Sequence, residues 1–135
     1  MARILVADDS PTVRLLVRRH LESDGHEVVE ASDGTTAYEL GSAGGFDLAI
    51  LDQLMPGMLG LDVLHRWRRQ DIDMPVLLLS AVDDDATVVQ SLELGAFDYM
   101  RKPFSIPELK ARLAAAPDPT RRTAGRSCVP PRPRG

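Results

Sequence analysis

Polar and charged side chains stand directly after the apolar runs of this sequence, where they could do chemistry together. Asp8 and Asp9 follow the first run, Asp52 the third, Ser80 the fourth and Lys102 the fifth. Three crowded carboxylates raise one another's proton affinity unless a positive charge lies among them, and a divalent metal ion is the simplest such charge. Ligation by oxygen alone favours Mg²⁺ or Mn²⁺ over zinc. The three aspartates therefore predict a metal site of this kind.

Phosphoryl transfer is the chemistry that this set of side chains fits. Mg²⁺ bound by one or two carboxylates usually keeps several waters and also binds a phosphate group. A carboxylate such as Asp52 can be the nucleophile and become an aspartyl phosphate. The metal ion and Lys102 would neutralise charge on the transferred group, and the Ser80 hydroxyl would donate a hydrogen bond to it.

The apolar runs alternate with segments of helical periodicity, which predicts an α/β fold with a parallel sheet. Residues 48–51 and 76–79 are apolar on both faces, as is typical of central strands covered by helices on each side. Because the carboxyl ends of parallel strands meet at one edge of the sheet, the polar side chains should converge there. The predicted strands are residues 4–7, 28–29, 48–51, 76–79 and 99–100.

Five helices are predicted between these strands. Ser10 and Pro11 mark the start of the first helix, which ends at Gly25. Residues 83–85 are three aspartates at the start of the fourth, and residues 105–108 have the form of a capping box for the fifth. The second and third are less sharply marked and are placed at residues 33–43 and 60–70.

Four separated motifs contain the polar residues and their neighbours. In chain order they are Val6-Ala7-Asp8-Asp9-Ser10, Leu51-Asp52-Gln53-Leu54-Met55-Pro56-Gly57-Met58, Leu79-Ser80-Ala81 and Asp98-Tyr99-Met100-Arg101-Lys102-Pro103-Phe104. Together they resemble the motifs of the receiver domains of two-component response regulators, over roughly residues 3–116. The resemblance implies a flavodoxin-like, doubly wound sheet of five parallel strands in the order 2-1-3-4-5, with five helices.

The resemblance also assigns roles to the residues of the metal site. Asp52 would be the phosphoacceptor. Asp9, Asp52 and the backbone carbonyl of Leu54 would bind Mg²⁺ directly, and Asp8 would act mainly through water. The metal site expected in this chain is therefore a Mg²⁺ site built on these four residues.

A switch follows from the same resemblance. Ser80 and Lys102 would bind the phosphoryl group, and Ser80 and Tyr99 would move together when it arrives. The fourth helix, fifth strand and fifth helix, residues 83–116, would form the output face. Such a chain is a phosphoacceptor switch and not an enzyme, with at most slow self-catalysed phosphoryl transfer and autodephosphorylation.

The partners implied are a sensor histidine kinase or phosphotransfer protein, and a downstream protein that binds the output face. Homodimerisation on phosphorylation is a further expectation. Nucleic acid is not an expected partner of residues 1–116, because they carry eleven Lys and Arg against nineteen Asp and Glu. None of His20, His26 and His65 is assigned to phosphorelay chemistry.

Two other classes of α/β protein fit the sequence less well. A phosphohydrolase with an aspartate nucleophile would need a second aspartate two residues later as general acid, and that position is Leu54. A dinucleotide-binding domain would need a glycine-rich first turn, but this turn is Asp8-Asp9-Ser10-Pro11. Because Leu54 and Val82 are apolar and would not orient an attacking water, slow loss of the phosphoryl group is expected.

Length and composition fit one domain with a tail. The chain has 135 residues, of which 44% are hydrophobic and 27% charged, and its single cysteine, Cys128, excludes an internal disulfide. No membrane span or signal peptide is recognisable, so a cytoplasmic protein is expected.

The tail, residues 117–135, holds five arginines and five prolines and is expected to be disordered. Since no output domain would fit in it, the predicted function is that of a stand-alone receiver. The alternative is a DNA-associated transcriptional regulator without a standard output domain, acting through the basic tail or through a partner.

Overall fold

A computed structural model describes residues 2–81 and 84–117, in which five strands and five helices alternate. The sheet has the order β2-β1-β3-β4-β5 with every neighbouring pair parallel, as predicted. The strands are β1 (Arg3–Ala7), β2 (Glu27–Ala31), β3 (Leu48–Asp52), β4 (Val76–Ser80) and β5 (Asp98–Arg101). The helices are α1 (Pro11–Ser23), α2 (Gly34–Ala43), α3 (Gly60–Arg69), α4 (Asp85–Glu93) and α5 (Ile106–Ala114).

The core lies on both faces of this sheet. Every residue of β3 and β4 is buried, as predicted for central strands. Successive side chains alternate between the faces: Ile50 packs in the cluster that includes Leu21 of α1 and Leu109 of α5, and Leu51 packs in the cluster that includes Leu64 of α3. Burying each large aliphatic side chain stabilises the fold by about 1.5–3 kcal/mol, so these layers hold the carboxyl ends of the strands in place.

The helix starts follow from side-chain caps. Ser10 Oγ accepts from the Val13 N–H, Asp33 Oδ1 from Thr36 and Ser105 Oγ from Glu108, at 3.3, 2.7 and 3.2 Å. The fourth helix begins at Asp85 and is capped by Asp84, two residues inside the predicted start.

Strands β3 and β4 each extend one residue beyond the last apolar position, so that Asp52 and Ser80 belong to the sheet itself. Asp52 lies opposite Leu79 in the β3–β4 register, and the backbone N–H of Lys102 donates to Ser80 O at 2.8 Å. Backbone pairing is indifferent to side-chain polarity, which is why an apolar run underestimates the length of a strand. Both side chains are therefore held by strand geometry rather than by loops.

Arg68 connects α3 to the two loops that lead into β4 and β5. Its guanidinium donates to four carbonyl oxygens at 2.7–3.1 Å, two in the α3–β4 connection and two after α4. These acceptors are Ile72, Met74, Leu94 and Gly95.

Some sequence predictions fall outside the described residues. These are the roles given to Val82 and Asp83 and the character of residues 118–135, including Cys128. Across residues 2–81 and 84–117, the helices are all too short or too polar to cross a membrane.

Candidate functional site

The three aspartates predicted to lie together do so at the carboxyl edge of the sheet. One carboxylate oxygen from each of Asp8, Asp9 and Asp52 lies within 4.8 Å of the others, a spacing that could hold a metal ion. Asp8 is fully buried, Asp52 is 4% exposed, and Asp9 faces solvent. The cluster thus has a closed inner side and an open outer side.

Lys102 bridges the two buried carboxylates. Its ammonium donates to Asp52 Oδ2 at 2.8 Å and lies 2.9 Å from Asp8 Oδ2. The backbone of the same residue pairs with Ser80, so β4 and β5 fix the position of this cation together. One positive charge faces three negative ones.

Burial and the charges at this edge shift two pKa values. The pKa of Asp52 is raised from its ordinary 3.8 to about 6, mainly by burial; Lys102 opposes the rise, and the nearby charges of Asp8 and Asp9 add to it. Burial disfavours the charge on Lys102, but hydrogen bonds and charges from Asp52 and Asp8 outweigh it, so the pKa of Lys102 is raised. An added positive charge would therefore stabilise the ionised form of Asp52.

Two buried polar atoms at this edge have no hydrogen-bond partner of acceptable geometry among residues 2–81 and 84–117. They are Ser80 Oγ, in a residue 1% exposed, and Asp8 Oδ2, which does have an ion-pair partner in the Lys102 ammonium 2.9 Å away. Buried polar groups are almost always hydrogen-bonded, and the exceptions cluster where a ligand or ion completes the set. The two atoms therefore fit a bound phosphoryl group and a metal ion with its waters.

Asp8 is oriented by contacts that sequence reasoning did not identify. Its Oδ1 accepts from the Ser10 N–H at 2.9 Å, and its backbone carbonyl accepts from Arg14 Nη1 at 2.7 Å. Arg14 in turn pairs with Glu30 at 2.9 Å. Position four of an amphipathic helix gave no sign that Arg14 would turn back to the first strand end.

The outer side of the cluster opens into a cleft with an apolar rim. Leu54 is 62% exposed there. The other apolar residues of the lining are Val13, Leu16, Ala81, Pro103 and Phe104. Leu54 thus lines the same cleft as Asp52. None of the three histidines lines this cleft, and His26 Nδ1 accepts from the Ala2 N–H in a structural role.

Tyr99 is half-buried on β5, as expected of a strand aromatic. Its ring lies 5.6 Å from the Arg101 guanidinium carbon and 5.9 Å from that of Arg112. Arg101 pairs with Asp85 at 2.7 Å, and Arg112 with Asp98 at 3.0 Å. Tyr99 therefore lies between α4 and α5, on the strand next to Ser80.

Comparison with known proteins places this site in a family. Residues 4–114 match the family model described as the response regulator receiver domain. Two Bacillus subtilis relatives are the uncharacterized transcriptional regulatory protein YkoG and the alkaline phosphatase synthesis transcriptional regulatory protein PhoP. They are 40% and 41% identical over 113 residues, which is 84% of this chain and 50% and 47% of those proteins. The chain thus spans about half the length of these relatives.

Solved structures of response regulators share this fold. The Francisella response regulator 1452 receiver domain is 33% identical, with a TM-score of 0.81 over 91% of this chain and 99% of that one. The Thermotoga maritima response regulator TrrA, solved in complex with Mg²⁺-BeF, is 36% identical, with a TM-score of 0.75 over 84% and 97% of the two chains.

Proposed function

The chain belongs to the response regulator receiver domain family of two-component systems, and on that premise we propose that it is a switch phosphorylated on Asp52. The observation that carries the proposal is a buried carboxylate, 2.8 Å from Lys102, beside a buried Ser80 hydroxyl that has no hydrogen-bond partner in the described part of the chain. The Asp52 carboxylate would accept the phosphoryl group, the Lys102 ammonium would neutralise its charge, and the Ser80 hydroxyl would donate a hydrogen bond to one of its oxygens.

Mg²⁺ is the cofactor that this site would take. Asp9, Asp52 and the backbone carbonyl of Leu54 would bind it directly, and Asp8 would bind it through water. Bound there, the ion would neutralise charge on the phosphoryl oxygens. Asp9 lies on the open side and Asp8 on the closed side, so the carboxylates supply oxygens from both directions.

Phosphorylation would form a bond between an Asp52 oxygen and phosphorus while the phosphorus–nitrogen bond of a donor phosphohistidine breaks. The imidazole leaves with the electron pair, and Lys102 stays protonated throughout. Because its pKa is raised, Lys102 holds a full positive charge at neutral pH. The apolar rim of the cleft, where Leu16 and Leu54 are exposed, would receive a histidine kinase or phosphotransfer protein.

Signal output would pass through Ser80 and Tyr99. A phosphoryl oxygen would give Ser80 Oγ the hydrogen bond that it lacks and draw the end of β4 toward Asp52. Tyr99 would then leave its place between Arg101 and Arg112, changing the face formed by α4, β5 and α5. A downstream protein, or a second copy of this chain, would bind that face.

Labelling tests this proposal. We expect acetyl phosphate or a phosphorylated histidine kinase to give an acid-stable, base-labile adduct in Mg²⁺. Chelation and Asp52→Asn should abolish it, and Asp62→Asn, on the exposed side of α3, should not. Undiminished labelling of Asp52→Asn, or labelling that does not change when Mg²⁺ is chelated, would refute the assignment.

The domain organisation is also part of the proposal: residues 1–116 act as the receiver, and residues 117–135 are a disordered tail that is dispensable for it. Deleting residues 117–135 should then leave the thermal midpoint and the labelling rate unchanged. A loss in either would mean that the tail contributes to the receiver.

A second candidate is favoured by the relatives, since YkoG and PhoP are named transcriptional regulatory proteins. In that case the chain would associate with DNA through its basic tail or through a partner. Salt-sensitive DNA binding that is lost when residues 117–135 are deleted would support this function over that of a stand-alone receiver.

A further inference from the structure

Gln53, the residue after Asp52, is a polar side chain buried at the start of α3. It is 7% exposed, and its Oε1 accepts a hydrogen bond from the Leu61 N–H at 2.8 Å. Its backbone carbonyl accepts from the Gly60 N–H at 2.9 Å. Gln53 therefore supplies acceptors for two N–H groups in the first turn of α3, which have no partner inside the helix.

The residue directly before α3 does not cap the helix with its side chain. Leu59, the N-cap residue of α3, makes no side-chain cap hydrogen bond. The cap comes instead from the other end of the connecting loop, so the two hydrogen bonds of Gln53 close residues 54–59 into a loop with a fixed base. The base is tight, because a Cβ at Gly60 would lie 2.5 Å from Asp52 O.

The far part of this loop is fixed separately. Pro56 O accepts from the Gly34 N–H at 3.0 Å, which ties the loop to the start of α2. Leu54 lies between these two attachments, directly after Gln53. Its side chain is 62% exposed, so little buried packing is available to hold its backbone. The main chain of Leu54 is thus held by its neighbours, and the nearer of them is Gln53.

We infer that Gln53 is a positioning residue for metal binding. By capping α3 across the loop, its amide oxygen holds the main chain of Leu54 where its carbonyl serves as a ligand. This inference rests on the proposed function, in which that carbonyl completes the site made by Asp9 and Asp52. A residue that orients a metal ligand without touching the metal typically contributes about 10- to 100-fold to metal affinity.

The test measures the Mg²⁺ affinity of Gln53→Met, which keeps the length of the side chain and removes the acceptor. Binding is followed by amide chemical shifts during a Mg²⁺ titration. The Kd of Gln53→Met for Mg²⁺ is expected to be about tenfold higher than that of the wild type. Labelling by acetyl phosphate should need correspondingly more Mg²⁺ and reach a similar rate at saturation. Gln70→Met, the same change at the other end of α3, is the matched control and should leave the Kd unchanged.

A second variant separates positioning from helix capping. The backbone of Leu59 is extended, with φ −69° and ψ 154°, which suits a serine N-cap. In Gln53→Met with Leu59→Ser, the new hydroxyl would cap α3 locally, while the side-chain hydrogen bond from the Leu61 N–H across the loop stays absent and only the backbone bond from Gly60 to Gln53 remains. The inference predicts that the thermal midpoint recovers while the Mg²⁺ Kd stays weak, and Leu59→Ser alone should bind Mg²⁺ like the wild type.

Three results would count against this account, and they are distinguishable. A Gln53→Met Kd within twofold of wild type would overturn the role of Gln53 and leave the metal site standing. Recovery of Mg²⁺ affinity together with stability in the double variant would show that capping alone matters. Absence of Mg²⁺ binding by the wild type would overturn the proposed metal site, and the inference with it.

Discussion

Asp52 should make the stability of the metal-free protein depend on pH in a way that Asp52→Asn removes. The carboxylate is 4% exposed, and burial raises its pKa to about 6 from the ordinary 3.8 that it has in the unfolded chain. An acid with a raised pKa in the folded state binds its proton more tightly when folded. Protonation therefore stabilises the fold as the pH falls through 6 toward 3.8.

The size of the effect follows from these two pKa values. At 1.36 kcal/mol for each pKa unit, the whole difference is worth about 3 kcal/mol, reached only below both values. Between about pH 7.5 and pH 5 the wild type should gain about 1.4 kcal/mol from this group, and Asp52→Asn should gain nothing from it. The stability of the variant relative to wild type should fall by that amount over this range.

Urea unfolding with a chelator present measures this difference. The chain has one tryptophan, Trp67, which is fully buried and reports unfolding by its fluorescence. Asp62→Asn, on the exposed side of α3, is the matched control and should track the wild type at each pH. The reasoning would be refuted if the stability of Asp52→Asn relative to wild type stays constant, or rises, between pH 7.5 and pH 5.

Metal addition gives the same prediction a second readout. Mg²⁺ at 100 times its Kd should stabilise the wild type by about 2.7 kcal/mol at neutral pH. It should stabilise Asp52→Asn much less, because one ligand has lost its charge. Equal stabilisation of both proteins would mean that the ion binds without Asp52.

Three further predictions concern other parts of the molecule. Arg68→Met removes hydrogen bonds to four carbonyl oxygens and should lower the free energy of unfolding by about 2–4 kcal/mol; an unchanged urea midpoint would contradict this. Beryllofluoride with Mg²⁺ should shift the amide resonances of residues 85–114 in wild type, and much less in Ser80→Ala, whose equal response would disprove the coupling. Leu54→Asn should speed decay of the phosphoprotein by placing a polar group at the entrance to Asp52, whereas Leu15→Asn, 50% exposed on α1, should not; equal decay rates in the two variants would remove the argument.

The arrangement of the site was largely predictable because it depends on backbone periodicity. Runs that are apolar on both faces indicate central parallel strands, and the carboxyl ends of such strands share one edge. Asp8, Asp9 and Asp52 were therefore expected at one edge of the sheet, and the structure brings one carboxylate oxygen of each within 4.8 Å of the others. The strand order came from resemblance to receiver domains, since alternation of strand and helix is compatible with several orders.

What the sequence did not predict are side-chain contacts that join one element of the fold to another. Arg14 binds the carbonyl of Asp8, and Gln53 caps a helix that begins seven residues later; neither contact has a periodic signature. Trp67 is similar: it is fully buried because Gly41 leaves room, and a Cβ there would lie 2.1 Å from the indole ring. Such contacts depend on complementary shape, which single-residue patterns do not encode.

The most direct test of the central claim is to identify the residue that carries the acyl phosphate. The wild-type protein is phosphorylated with acetyl phosphate and Mg²⁺ and then reduced with borohydride, which converts a phosphorylated aspartate to homoserine. Peptide mass spectrometry then locates the converted residue. The account predicts conversion at position 52 alone, and none when Mg²⁺ is chelated. Conversion at another aspartate, or none in a protein that has taken up phosphate, would contradict it.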